Sequence, residues 1–277
     1  VGDGTDHEIY RRLAAAVREG SPVVVATVVD GPAAGRTLLV APGQAPLGTL
    51  GDAALDEVVA RDALGELAAG TSRVRRYGPR GQAGRTDVGV FVESFAPPPR
   101  MVIFGAIDFA AALARVGKVL GYRVTVCDAR GLFATRARFP VADEVVVRWP
   151  QRYLADEGAG LSARDVVCVL THDAKFDVPA VVAALATDVG YIGVMGSRRT
   201  HADRVVRLRD AGVDDAGMAR LHAPVGLDIG ARTPEETAVS ICAEIIAMRS
   251  GRTSGRSLAL TEGPIHEPRS LTAAVTS

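Results

Sequence analysis

Residues 100–130 read RMVIFGAIDFAAALARVGKVLGYRVTVCDAR, and their pattern decides the fold. Residues 101–104 are a short apolar run, preceded by Pro97-Pro98-Pro99 and closed by Gly105. Phe109, Leu113, Val116 and Leu120 then recur at spacings of three and four, the period of a helix with one buried face. Gly121 stops that helix, and residues 122–127 read as a second buried strand finishing on Asp128. Strand, tight turn, helix, strand, acid is the opening unit of a doubly wound α/β domain, so a Rossmann-like parallel sheet is predicted here.

The turn inside this unit departs from the dinucleotide pattern G-x-G-x-x-G/A. It reads Gly105-Ala106-Ile107-Asp108-Phe109-Ala110. The first glycine and the small last residue are present, but Ile107 stands where a glycine would let the backbone approach a pyrophosphate. Asp108 adds a negative charge at the helix start, favourable to the helix and repulsive to a phosphate. Asp128 lies where an acid would grip a ribose hydroxyl, and a solvated strand-end acid is the competing reading. The pattern speaks for the fold and against NAD(P).

Outward from this unit, residues 1–96 read as a smaller α+β domain. Helices are expected over 6–19 and from about 51 to 69, and strands over 23–29, 37–41, 73–77 and 88–92. Residues 97–100 form a stiff Pro-rich linker, and 101–251 the Rossmann-like domain. Within it, strands are expected at 144–147, 165–170 and 191–195, and helices at 150–157, 178–186 and 200–211, followed by a broken loop at 222–230. The last helix is marked by Thr233, Pro234 and Glu236, a capping box with proline at the first position. Its buried stripe is read as Ile241, Cys242, Ile245 and Ile246. Residues 252–277, rich in Ser, Thr, Gly and Pro, read as a mobile tail.

The 277 residues are 48% hydrophobic and 23% charged, a globular composition. Lys+Arg and Asp+Glu are 32 each, so no net field recruits nucleic acid or an anionic membrane. No apolar run approaches the roughly 20 residues that span a bilayer. Cys127, Cys168 and Cys242 sit singly in apolar runs, which suits neither a zinc site nor a disulfide framework. Buried reduced thiols and a cytoplasmic protein are expected.

Ligands of open α/β sheets collect at the carboxyl ends of the strands. Three segments are expected there: 105–108, Thr171-His172-Asp173, and Gly196-Ser197-Arg198-Arg199. Ser197 at a helix start followed by two arginines makes an anion cradle, or else a plain N-cap beside solvated charges. His172 and Asp173 read as a base with its orienting acid; without a second His or Cys at ligand spacing, a metal site is not expected. Asp228 belongs to a turn that either stabilises itself or closes over the arginines. The candidate cofactor-binding set is Gly105, Asp108, Asp128, Thr171, His172, Gly196, Ser197, Arg198 and Asp228, with no catalytic or metal-ligating residue.

Residues 101–112, 122–130, Thr171-His172, 191–198 (YIGVMGSR) and 222–244 (HAPVGLDIGARTPEETAVSICAE) together resemble the XdhC/CoxI family of xanthine dehydrogenase accessory proteins. The resemblance implies a chaperone-like maturation factor, not a redox enzyme. Such a factor binds molybdenum cofactor (molybdopterin), protects it during sulfuration and hands it to a molybdenum hydroxylase of the xanthine or carbon monoxide dehydrogenase type. A cysteine desulfurase as second partner and a homodimer are also expected. The cofactor's terminal phosphate would suit the anion cradle. Two departures stand out: the family's Gly-Gly-Cys-x-Glu becomes Asp52-Ala53-Ala54-Leu55-Asp56, and its Gly-Ala-Gly-His turn becomes Gly105-Ala106-Ile107-Asp108. An NAD(P)-dependent oxidoreductase and a scaffold that no longer binds a cofactor remain the alternatives.

Overall fold

A computed structural model describes residues 3–82, 85–171 and 173–251, with 255, 257 and 259. The mobile tail expected from residue 252 otherwise lies outside the described residues, as does His172. The first part of the chain runs α1 (Asp3–Glu19), β1 (Val23–Asp30), β2 (Thr37–Val40), β3 (Leu47–Gly48), α2 (Ala53–Ala69), β4 (Arg73–Tyr77) and β5 (Val88–Phe95). Next come β6 (Arg100–Phe104), α3 (Asp108–Val119), β7 (Arg123–Asp128), β8 (Glu144–Val147), α4 (Pro150–Glu157) and β9 (Val166–Val169). The chain continues with α5 (Ala174–Leu185), β10 (Tyr191–Val194), α6 (Arg198–Asp210), α7 (Asp215–Ala219), β11 (Leu221–His222) and α8 (Pro234–Arg249).

The first five strands form an antiparallel sheet in the order β3-β2-β1-β5-β4. Alternation along β1 sorts its two faces. Val24, Ala26 and Val28 pack with Leu55, Val59, Ala63 and Leu67 of α2, while Val23 packs with Ile9 of α1. Asp52 caps α2 through the amides of Ala54 and Leu55, and Gly70 ends it in the left-handed conformation, φ 64°.

β6 to β11 form a parallel sheet in the order β11-β10-β9-β6-β7-β8, the arrangement expected of a doubly wound dinucleotide-type domain. Met101, Ile103, Val124 and Val126 turn to one face and meet Leu113 of α3 and Ile241 and Ile245 of α8. Val102, Phe104, Val167 and Val169 turn to the other and meet Leu154 of α4, Val181 of α5 and Leu208 of α6. Gly117 brings α3 close to the sheet, since a Cβ there would lie 2.7 Å from the Met101 sulfur. The order reverses between β6 and β9, which places the crevice beyond Gly105 and Leu170.

Three expectations need correction. Ile246 is half exposed, because it falls roughly 40° round the helix beyond Cys242, past the edge of the face that Ile241, Cys242 and Ile245 bury. α5 begins four residues before Val178, where Asp173 accepts a hydrogen bond from the Lys175 amide and starts the first turn, leaving Pro179 inside the helix. The segment expected to be a loop from 222 begins in strand, as Leu221–His222 pairs with β10. At α8 the capping box of Thr233 and Glu236 forms as expected.

Candidate functional site

Gly105 leaves β6 at φ 109°, and a Cβ there would crowd the Thr171 amide at 3.1 Å and its methyl at 3.0 Å. Glycine thus lets the ends of β6 and β9 touch at the point where strand order reverses. Thr171 is buried, and its hydroxyl has no hydrogen-bond partner among the described residues. A cavity of about 80 Å³ opens beside it, lined by Ile107, Asp128, Arg130, Thr171, Asp173 and Phe176.

Asp128 closes the turn instead of facing solvent. It is 4% exposed and accepts from the Ala106 amide at 2.8 Å, the Arg130 amide at 2.9 Å, and the Arg130 guanidinium at 3.0 and 2.8 Å. Burial pushes its carboxyl up, yet the hydrogen bonds from Arg130 and Ala106 outweigh this and hold it below the usual carboxylate range. The solvated-acid reading is therefore corrected: Asp128 pins the turn. The Ile107 amide is also spent, on Gly105 O at 3.1 Å. Asp108, in the first turn of α3, points out and pairs with Arg138 at 3.2 Å, away from the cavity.

The second cluster lies past β10, next to β9 in the sheet. Gly196 takes φ 148°, and a Cβ there would meet the Arg204 guanidinium and Thr200 at 3.3 Å. Ser197 caps α6 by accepting from the Thr200 amide at 3.1 Å. Arg198 stands exposed in the first turn, 3.8 Å from the equally exposed Asp228. Of the expected residues, the fold brings together Gly105, Asp128 and Thr171 at one place and Arg198 with Asp228 at another.

Three features escaped the sequence reading. Arg130 holds Asp128, although their two-residue spacing was visible. Arg204, on which the sequence reading was silent, is wholly buried and donates to Asp177 at 3.0 Å and to Met195 O at 2.8 Å. Glu244 of α8 accepts from Tyr191 at 2.5 Å and the Gly226 amide at 2.9 Å, with His222 at 3.5 Å, and so ties loop 223–230 to the sheet. Burial raises its carboxyl, but His222, Tyr191 and Gly226 outweigh that and leave it depressed. In the first part of the chain, Ala54 lies in the first turn of α2, and Asp56 accepts from Thr49 Oγ1 at 2.7 Å and from the Leu50 amide at 2.6 Å.

Residues 101–245, just over half the chain, match the XdhC Rossmann domain, and residues 16–78 match the XdhC and CoxI family. The chain is 33% identical over 160 residues to a probable xanthine dehydrogenase subunit of Bacillus subtilis, covering 58% of this chain and 46% of that protein. It is 27% identical over 264 residues to the uncharacterized protein YqeB of Escherichia coli, covering 89% and 47%. It is 28% identical over 159 residues to the molybdenum cofactor insertion chaperone PaoD of Escherichia coli, covering 57% and 43%. The chain thus spans about half the length of the curated relatives it matches. A crystal structure of a xanthine dehydrogenase from Bacillus halodurans shares the fold, with TM-score 0.62 at 22% identity over 94% of this chain and 73% of that one. Sequence string, strand order and domain match agree, and the chain belongs to the XdhC and CoxI family.

Proposed function

We propose that the chain is a maturation factor that binds molybdenum cofactor and delivers it to a molybdenum hydroxylase of the xanthine or carbon monoxide dehydrogenase type. The observation that carries this reading is the division of the crevice. The β7 side, where a dinucleotide's ribose would sit, is closed by Asp128 and Arg130. The β10 side is exposed and cationic, with Gly196, Ser197 and Arg198 at the start of a 13-residue helix. Membership of the family, and the relative whose name is molybdenum cofactor insertion chaperone, support the same reading.

The residues at the β10 side fit the cofactor's phosphate. First-turn amides of a helix lack intrahelical acceptors and carry positive partial charge. Gly196 keeps the backbone accessible and Arg198 offers a planar fork of donors. Asp228 holds that fork while the site is free. The cavity at Thr171 is too small for a pterin ring, so the fit is to the phosphate end alone. The bound cofactor supplies the redox metal its client uses; this chain's residues bind the phosphate and orient it. Ala54, with Ile107 and Asp108 in the glycine turn, favours a second reading, a divergent scaffold that no longer binds a cofactor.

Arg198→Ala tests the cradle. A charge-assisted hydrogen bond contributes about 1.5–3 kcal/mol, so affinity for a phosphorylated pterin should fall roughly tenfold or more. Folding should hardly change, because Arg198 is 88% exposed. Unchanged affinity would make Arg198 a helix-face charge only. The factor acts as a homodimer on this reading; light scattering giving a monomer mass at every concentration would reject that part.

A further inference from the structure

The carboxyl end of the second strand of a doubly wound sheet is where an acid grips the ribose of a bound dinucleotide. Here the acid is Asp128, and both of its oxygens are taken by the chain itself. Arg130 Nε donates to Oδ1 at 3.0 Å and a terminal guanidinium nitrogen donates to Oδ2 at 2.8 Å. Two adjacent donors facing two carboxylate oxygens is the arrangement a ribose diol would present. The same guanidinium lies 4.7 Å from the Phe133 ring centroid and 5.9 Å from that of Phe176, on which Trp149 stacks at 4.8 Å. It therefore also fills the aromatic contact that a purine would use. What is left is the cavity of about 80 Å³, against roughly 300 Å³ for the smallest ordinary ligand pockets.

We propose that Arg130 is a specificity-determining residue that occupies the ribonucleoside subsite of the crevice and excludes ligands carrying an adenosine-like moiety with a free ribose diol. An entering ribose must displace a bidentate, charge-assisted pair that is intramolecular and already in place. The inference concerns the β7 side alone and does not rest on the β10 side being a phosphate site.

ADP-ribose, followed by titration calorimetry on the full chain, is the probe. Ile107 is a separate obstacle, so the decisive comparison is Ile107→Gly against Ile107→Gly/Arg130→Ala, each checked for native circular dichroism. The double variant should bind ADP-ribose at least threefold more tightly than the single one, and adding Asp128→Asn should reverse the gain. The proposal is overturned if Ile107→Gly alone binds as tightly as the double variant, if the folded double variant gains nothing, or if Asp128→Asn leaves the gain intact. Should the double variant not fold, Ile107→Gly/Arg130→Gln against Ile107→Gly decides in the same way: a threefold gain supports the proposal and no gain overturns it.

Discussion

Replacing Asp128 with alanine should destabilise the parallel-sheet domain far more than removing the arginine that faces it. The Ala106 amide is buried and, among the described residues, donates only to Asp128, so its loss of a partner costs about 1–3 kcal/mol. The Arg130 guanidinium is 47% exposed, and solvent screening holds its share to about 1 kcal/mol or less. Asp128→Ala should therefore cost about 2–4 kcal/mol, and Arg130→Ala less than about 1 kcal/mol. The one tryptophan, Trp149, lies between β8 and α4, so urea unfolding followed by its fluorescence reports this domain. The carboxyl is depressed in the folded state, so its contribution is complete above its unfolded value of about 3.9 and is lost as pH falls through the lower folded one. The difference between parent and Asp128→Ala should narrow below pH ~4. A cost under ~0.5 kcal/mol, or equal costs for the two variants, would refute the view that Asp128 pins the turn.

Arg204→Met should cost about 3–5 kcal/mol in the same assay, because it leaves Asp177 buried without its partner; Arg204→Met/Asp177→Leu should recover much of that, and no recovery would count against a coupled pair. Glu244→Ala frees the Gly226 amide, Tyr191 and His222 together, so trypsin should cut at Arg232 faster than in the parent, whereas an unchanged rate would show that loop 223–230 is held by other contacts. Burial pushes the thiols up, Cys127 to about 12 and Cys242 to about 11, with Cys168 raised as well. At pH 8 the native protein should consume no Ellman's reagent and the unfolded protein three equivalents, and prompt native reaction would contradict the buried placement.

The doubly wound sheet was legible because its signal is local and repeated. Residues 101–104, 122–127 and 165–170 are strand-like stretches rich in β-branched and apolar residues, and helical periodicity separates the first two. The capping box at Thr233 and Glu236 was equally plain, since its partners lie three residues apart. Tertiary compensation was what pattern could not supply. Asp128 reads the same whether it awaits a ribose or is gripped by Arg130, and only the folded turn distinguishes the two. Arg204 sits in a helix of low apolar content, so nothing in the periodicity marks it as buried, yet Asp177 from the neighbouring helix makes a buried arginine tolerable. Ile246 shows the converse, an apolar residue at the edge of the stripe that the fold leaves half exposed. Glu244 stood inside the family string, but its tie to Tyr191 crosses 53 residues.

The most direct test of the account is what the protein carries out of a cell. Purified from a host that synthesises molybdenum cofactor, then oxidised and examined for pterin fluorescence, it should release close to one fluorescent pterin per chain, and Arg198→Ala should release much less. A preparation that yields no pterin, or that releases a nicotinamide dinucleotide in its place, would contradict the proposed function.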